Sequence, residues 1–268
     1  MDSAAWLADD DPIVGVVDPD PDAIDPEADR DAVTAIDAAL VDRDASIATG
    51  TVEEVLAAAP SMLVAIREAG LTAVARAEPD APVLPIGPVP GVETVPVDAI
   101  EAGLGAVLDG DAVERDRPLL GVEREPGSTT SGSDRKRALF DVTLVTEEPA
   151  RISEYSVRSR GESIAQFRAD GVVVATPAGS YGYASAVDVP RLSAAVDAVG
   201  VAPIAPFVTA TRRWVLPADD LALAVERDEG DVSLLADDRI VETISPGERV
   251  TVGVDGTLAT LVVPESSL

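Results

Sequence analysis

A chain of 268 residues that sets 49 Asp and Glu against 20 Lys and Arg, a formal charge of −29, repels nucleic-acid backbones and anionic lipid alike. With no Cys and no His, it excludes disulfides, thiol nucleophiles, imidazole bases and zinc sites; proton transfer falls to Asp, Glu, Tyr, Arg or Lys136, the only lysine, and any metal is a hard cation such as Mg2+ held by oxygens. Hydrophobic residues reach 46% but aromatics only 3%, so the core must be built from Val, Ile, Leu and Ala, and the length suits two modest domains.

No apolar run approaches the roughly 20 residues that span a bilayer, and the acidic start lacks the basic flank of a signal peptide. A cytoplasmic location is expected. Abundant Asp with almost no Lys is also what the cytosol of a salt-accumulating, halophilic microbe favours, because molar salt shortens the screening length to about 3 Å and suppresses self-repulsion.

In chain order, Pro12–Val17 is a short apolar run closed by Asp18-Pro19-Asp20-Pro21 and reads as a strand and a turn. From about Pro26 to Val41, apolar Val33, Ile36, Ala39 and Leu40 recur at helical spacing. A strand near Ala45–Ala48 precedes a helix over Thr51–Ala59, where Thr51 and Glu54 form a capping-box signature. Met62–Ile66 is continuously apolar, as a buried parallel strand is. A helix near Leu71–Ala77 and a strand Val83–Ile86 complete an alternation that predicts a parallel α/β layer.

After Asp98 the character changes. One helix, Ala99–Leu108, leads to strands at Leu119–Arg124 and Leu139–Val145, joined by Glu125–Arg137, whose Gly and Ser content predicts a mobile hairpin loop. Short strands then follow at Glu154–Arg158, Glu162–Arg168, Val172–Ala175, Arg213–Leu216, Leu221–Val225, Val232–Ala236, Arg239–Thr243, Arg249–Val254 and Thr257–Val263. The expected fold class is α/β plus all-β: an α/β domain over 1–98, a β-sandwich-like domain over 99–254, and a segment 255–268 whose strand returns to the first domain.

The most informative segment runs from Asp170-Gly171 through the strand Val172–Ala175 into Thr176-Pro177-Ala178-Gly179-Ser180-Tyr181-Gly182-Tyr183. A strand that enters such a turn can present backbone N–H groups and a hydroxyl to a phosphate or ribose. The same residues also fit a plain turn followed by a core tyrosine. Downstream stand Pro203-Ile204-Ala205-Pro206, then Arg212, then Val215-Leu216-Pro217-Ala218-Asp219. In order and spacing these segments resemble the NAD kinase family, most strongly from Leu139 to Val254, and the set favours binding over the plain turn.

That resemblance implies transfer of the terminal phosphoryl group of ATP, or of polyphosphate, to the 2′-hydroxyl of NAD to give NADP, with Mg2+ as cofactor, and suggests a homo-oligomer. It implies that Asp170 holds the nicotinamide end and that Thr176, Gly179, Ser180 and Tyr183 line the dinucleotide pocket. Asp170 offers an acceptor, Gly179 allows close backbone approach, and Ser180 both donates and accepts.

Where the family carries Gly-Gly-Asp-Gly after the third strand, this chain carries Arg67-Glu68-Ala69-Gly70, so only Gly70 matches and Ala69 replaces the proton-accepting Asp. Loss of a positioned base costs about 10²- to 10⁴-fold in rate, roughly 3–5 kcal/mol. Glu68 is the one nearby candidate base, and Arg67 is expected to bind phosphate or to pair with Glu68 or Asp80. The family's Asn-Glu becomes Phe140-Asp141, where Asp141 keeps an acceptor for ribose hydroxyls or a Mg2+ contact; Phe207 replaces a His, and Ala178, Tyr181 and Gly182 alter the signature itself. Three readings follow: an NAD kinase-like protein that binds NAD, NADP or ATP with transfer weakened or lost; a non-catalytic NAD(P) sensor or regulatory paralogue; or an enzyme for another phosphorylated or hydroxylated substrate.

Overall fold

Largely apolar strands and helices with one apolar stripe are buried as layers, and the first part of the chain does this. The computed structural model describes residues 12–17, 26–41, 43, 45–125, 136–148, 151–208, 212–227 and 230–268. The expected turn Asp18–Pro21 and most of the expected loop Glu125–Arg137 lie outside them. The chain divides into two units, Met1–Arg117 with Thr257–Leu268, and Pro118–Gly256.

In the first unit, β1 (Ile13–Val17), β2 (Ser46–Gly50), β3 (Met62–Ile66) and β4 (Val83–Ile86) form a parallel sheet in the order β2-β1-β3-β4, with Thr260 near the end of β16 (Arg249–Val262) paired beside Val83. Alternate strand residues Val14, Val16, Met62, Val64 and Ile86 join Ile36 and Leu40 of α1 (Pro26–Leu40) and Ile100 and Leu104 of α4 (Ile100–Leu108) in one core. α2 (Val52–Ala57) and α3 (Arg67–Ala77) contact β1 and β3. The Thr51 capping box is present: Thr51 Oγ1 accepts from Glu54 N at 3.3 Å, and the Glu54 carboxylate accepts from Thr51 N at 2.9 Å. α4, expected at the head of the second domain, clusters with the first unit.

Two expectations need correction here. α3 starts at Arg67 rather than Leu71, because Arg67 adopts a φ of 57° and turns the chain into the helix directly after β3. The fifth strand, β5 (Val113–Arg124), begins six residues before Leu119, through charged residues that the apolar pattern passed over.

The second unit is a β-sandwich. One antiparallel sheet has the order β12 (Trp214–Pro217), β11 (Ala198–Ile204), β10 (Gly171–Ala175), β7 (Asp141–Thr146), β14 (Val232–Ala236), β15 (Arg239–Ile244). The other joins β9 (Glu162–Ala169), β8 (Ser153–Ser159), β13 (Leu221–Arg227) and the first part of β16, which also pairs with β5, itself paired with β6 (Lys136–Ala138). Val142, Leu144, Val172 and Val174 from one sheet meet Tyr155, Val157, Leu221, Leu223 and Val250 from the other. β11 was not expected, since Gly200 and Pro203 weaken its strand pattern; it pairs with β10 all the same. Val254-Asp255-Gly256 reads as a turn in sequence but lies within the continuous β16, with Gly256 at a φ of 104°. No helix among the described residues is long and apolar enough to cross a membrane.

Among the described residues of the first unit, one cation is buried. Arg117 is 3% exposed; its Nε donates to Thr260 Oγ1 at 3.1 Å, Nη1 to Gly91 O at 3.3 Å, and Nη2 to the Glu93 carboxylate. Burial pushes the Glu93 carboxyl up, but the Arg117 hydrogen bond and the Arg117 and Arg115 charges hold it below the ordinary value. A carboxyl lowered on folding contributes stability that is present above its unfolded pKa and is lost as pH falls through the folded one. Arg117→Ala should therefore cost about 2–3 kcal/mol near neutrality and should flatten the acid limb of stability; urea titrations at pH 7 and below pH 4 check both.

Candidate functional site

β10 ends at Ala175, opposite Asp141 of β7, and this register delivers the following turn onto Leu139–Asp141. Thr176 N donates to Phe140 O at 2.9 Å, and Thr176 Oγ1 donates to Leu139 O at 2.7 Å while accepting from Gly179 N at 3.1 Å. Ser180 Oγ donates to Pro177 O at 2.7 Å and accepts from Leu192 N at 2.9 Å. Thr176 and Ser180 are fully buried. Thr176 and Ser180, expected to line the pocket, each donate one hydroxyl bond to the chain and accept one from it, which makes the pair struts of the turn. Gly179 does allow close backbone approach, but to the protein: a Cβ there would lie 2.0 Å from Phe140 O.

The other half of this knot is Asp237, which sequence analysis missed. It sits at a φ of 53° in the turn between β14 and β15, and its carboxylate accepts from Leu139 N at 3.0 Å, Phe140 N at 2.7 Å and Asp141 N at 3.2 Å. Asp237 N donates back to Asp141 O at 2.8 Å. Ala236-Asp237-Asp238-Arg239 announces a tight turn in sequence, but nothing local tells where its carboxylate reaches.

Asp141 and Asp170 mark opposite ends of β10. Asp141 is 8% exposed and accepts from Thr143 Oγ1 at 3.1 Å. Asp170 is half-buried; its backbone is bonded to Ile204 and Thr146, while its carboxylate accepts no hydrogen bond among the described residues. Five strand residues separate the two ends, a span of about 17 Å for a regular strand. Tyr183 connects them electrostatically: burial first, then the Asp141 charge, then the Asp170 charge, raise its phenol above the ordinary value and keep it a donor. Tyr183 is 53% exposed, so it is not the core residue that the plain-turn reading makes it.

Glu68 and Gly70 belong to the first unit, apart in the chain from the other six candidates. Glu68 and Ala69 are exposed in the first turn of α3, and a Cβ at Gly70 would meet Ala65 only at 3.5 Å, an ordinary contact. Arg67 pairs with Asp29 of α1, a carboxylate 4% exposed, and not with Glu68 or Asp80 as expected. Phe207 is 68% exposed under the Arg168 guanidinium, 5.9 Å from the ring centroid. Asp219, from the Val-Leu-Pro-Ala-Asp segment, pairs with Arg160 at 3.0 Å. Among the described residues no three carboxylates gather into a cation cage; a Mg2+ ion that arrives with nucleotide phosphates needs only one or two carboxylates from the protein, and Asp141 and Asp170 are the site residues of that type.

Removing the acceptor of three backbone donors is costly even where water reaches part of the turn. Asp237→Ala should lower stability by about 3 kcal/mol, and Asp237→Asn, which keeps one acceptor oxygen, by about half of that. Gly179→Ala should cost at least about 2 kcal/mol, because Phe140 O must move. Urea midpoints of the three variants, compared with the parent at one salt concentration, check the order.

Residues 139–262 match the family model described as ATP-NAD kinase C-terminal domain. The NAD kinase of Gemmatimonas aurantiaca is 32% identical over 157 residues, 58% of this chain and 54% of the relative; that of Methanosarcina mazei is 33% identical over 128 residues, 48% and 42%. The chain thus spans about half the length of the curated relatives it matches. A crystal structure of yeast NADH kinase complexed with NADH superposes with a TM-score of 0.80 over 96% of this chain and 85% of that one, at 16% identity. An NAD kinase from Archaeoglobus fulgidus in complex with ATP gives 0.73 over 95% and 94%, at 18% identity. At such identities these two likenesses speak for the fold, and the motif register together with the sequence relatives shows that residues 139–262 are similar to the C-terminal domain of NAD kinases.

Proposed function

We propose that the second unit binds an adenine dinucleotide, NAD or NADP, alongside β10, and that phosphoryl transfer from ATP to the 2′-hydroxyl of NAD is weakened in this chain. The observation that carries the reading is the pinned turn itself. Asp237 fixes Leu139–Asp141, Thr176 and Ser180 lock the turn onto them, and Asp141 and Tyr183 beside the turn and Asp170 at the far end of β10 remain with polar atoms to offer. In this reading Asp170 accepts from the carboxamide end, Asp141 accepts from ribose hydroxyls, and the protonated Tyr183 phenol donates between them. Thr176, Gly179 and Ser180 shape the pocket rather than touch the ligand. The protein acts in the cytoplasm, without nucleic acid or membrane, and Mg2+ enters with ATP.

Arg67 supports the weakening. It carries a left-handed backbone and a bond to buried Asp29 at the point where the resemblance puts glycines. Glu68, exposed one position on, is the residual candidate base, and Ala69 has no proton acceptor to offer. Phosphoryl transfer depends mostly on positioning and charge stabilisation, so a slow reaction survives the loss of a base. A second reading, a non-catalytic NAD(P) sensor, draws on the same Arg67–Asp29 pair.

The decisive experiment incubates the full chain with ATP, Mg2+ and NAD in molar KCl and follows NADP. The expected result is slow turnover that falls about 10²- to 10⁴-fold in Glu68→Ala; no NADP above that variant's level removes catalysis and leaves the sensor. Calorimetry in the same buffer should give binding of NAD or NADP that Asp170→Ala weakens. A parent that binds neither dinucleotide sinks both readings.

A further inference from the structure

One cation at the margin of the pinned turn has no role in the assignments above. The guanidinium of Arg191 lies over the ring of Tyr181, 5.2 Å from its centroid, and both side chains are exposed. Two bonds fix this pair in place. Tyr181 N donates to Ala178 O at 3.2 Å within the signature turn, and the residue after Arg191 donates its N–H to the buried Ser180 Oγ at 2.9 Å. The neighbouring Arg213 is committed to Asp188 at 3.0 Å and to Val187 O at 3.1 Å. Arg191, by contrast, has no carboxylate partner among the described residues, in a chain whose formal charge is −29.

Near this turn the Asp141 carboxylate repels a phosphate and the neutral Tyr183 phenol offers it a single uncharged donor. A guanidinium stacked by its face on an aromatic ring keeps its N–H edges free, and those edges match the oxygens of a phosphate. Tyr181 thereby orients the fork and limits the rotamers it would lose on binding.

We propose that Arg191, braced by Tyr181, contacts a phosphate group of the bound nucleotide and makes the site discriminate phosphorylated nucleotides from their nucleosides. This rests on the reading that the turn binds an adenine dinucleotide. The test is calorimetry on the full chain at one fixed KCl concentration, with NAD as ligand and adenosine as competitor, for the parent, Arg191→Gln and Arg191→Lys. Arg191→Gln should weaken NAD about tenfold, as loss of a charge-assisted hydrogen bond does, with adenosine competition unchanged and Arg191→Lys in between. If Arg191→Gln binds NAD as the parent does, or loses NAD and adenosine in equal proportion, the proposal is overturned while the dinucleotide reading stands. If the parent binds no NAD, both are overturned.

Discussion

The site depends on one carboxylate that touches no ligand. Asp237 holds the backbone of Leu139, Phe140 and Asp141, and everything that follows uses those three residues as its reference. Phe140 O can accept from Thr176 only because its own amide is anchored, and the clearance left above it admits Gly179 but no side chain. The left-handed backbone at Asp237 costs about 1 kcal/mol, less than for most residues because Asp tolerates that region. Three hydrogen bonds to a charged acceptor outweigh this cost several-fold. The turn is thus built from within, and the hydroxyls of Thr176 and Ser180 stiffen a surface instead of reading a ligand.

In the first unit the same accounting gives the opposite result for chemistry. Arg67 carries a left-handed penalty without the tolerance of Asp or Gly, and its pairing with Asp29 offsets that penalty by giving a buried carboxylate its partner. A phosphate brought to Arg67 therefore competes with an ion pair that the fold needs. Direct passage from β3 into α3 also leaves no free loop whose backbone N–H groups could wrap an anion. The second unit holds a turn pinned from within, whereas in the first unit the segment after β3 is committed to a helix and an ion pair.

What was legible in the sequence was whatever local chemistry decides. β3 and β4 were readable to the residue because uninterrupted apolar runs have no other home, and Thr51 with Glu54 declares a helix start within four residues. β11 was hidden because Gly200 and Pro203 argue locally against a strand, whereas β10 and β12 supply the pairing that overrides them. Asp141, Asp170 and Tyr183 were legible as a set through their motifs, and their common electrostatics follow from β10 lying between them. Asp237 was not legible, since its partners stand nearly a hundred residues earlier. Nor was the partner of Arg67, because Asp29 reaches it only through the packing of α1.

The large negative charge of the chain says less about this site than it first suggests. Screening confines the influence of exposed charges to about 10 Å at 0.1 M salt and about 3 Å at 1 M, so most of the acidic surface is silent at the turn under either condition. What remains is decided at contact range. There, burial first and then the Asp141 and Asp170 charges oppose ionisation of the Tyr183 phenol. Arg191 is the cation held at the margin of the turn, stacked on the Tyr181 ring and anchored through the bond from Leu192 N to Ser180 Oγ.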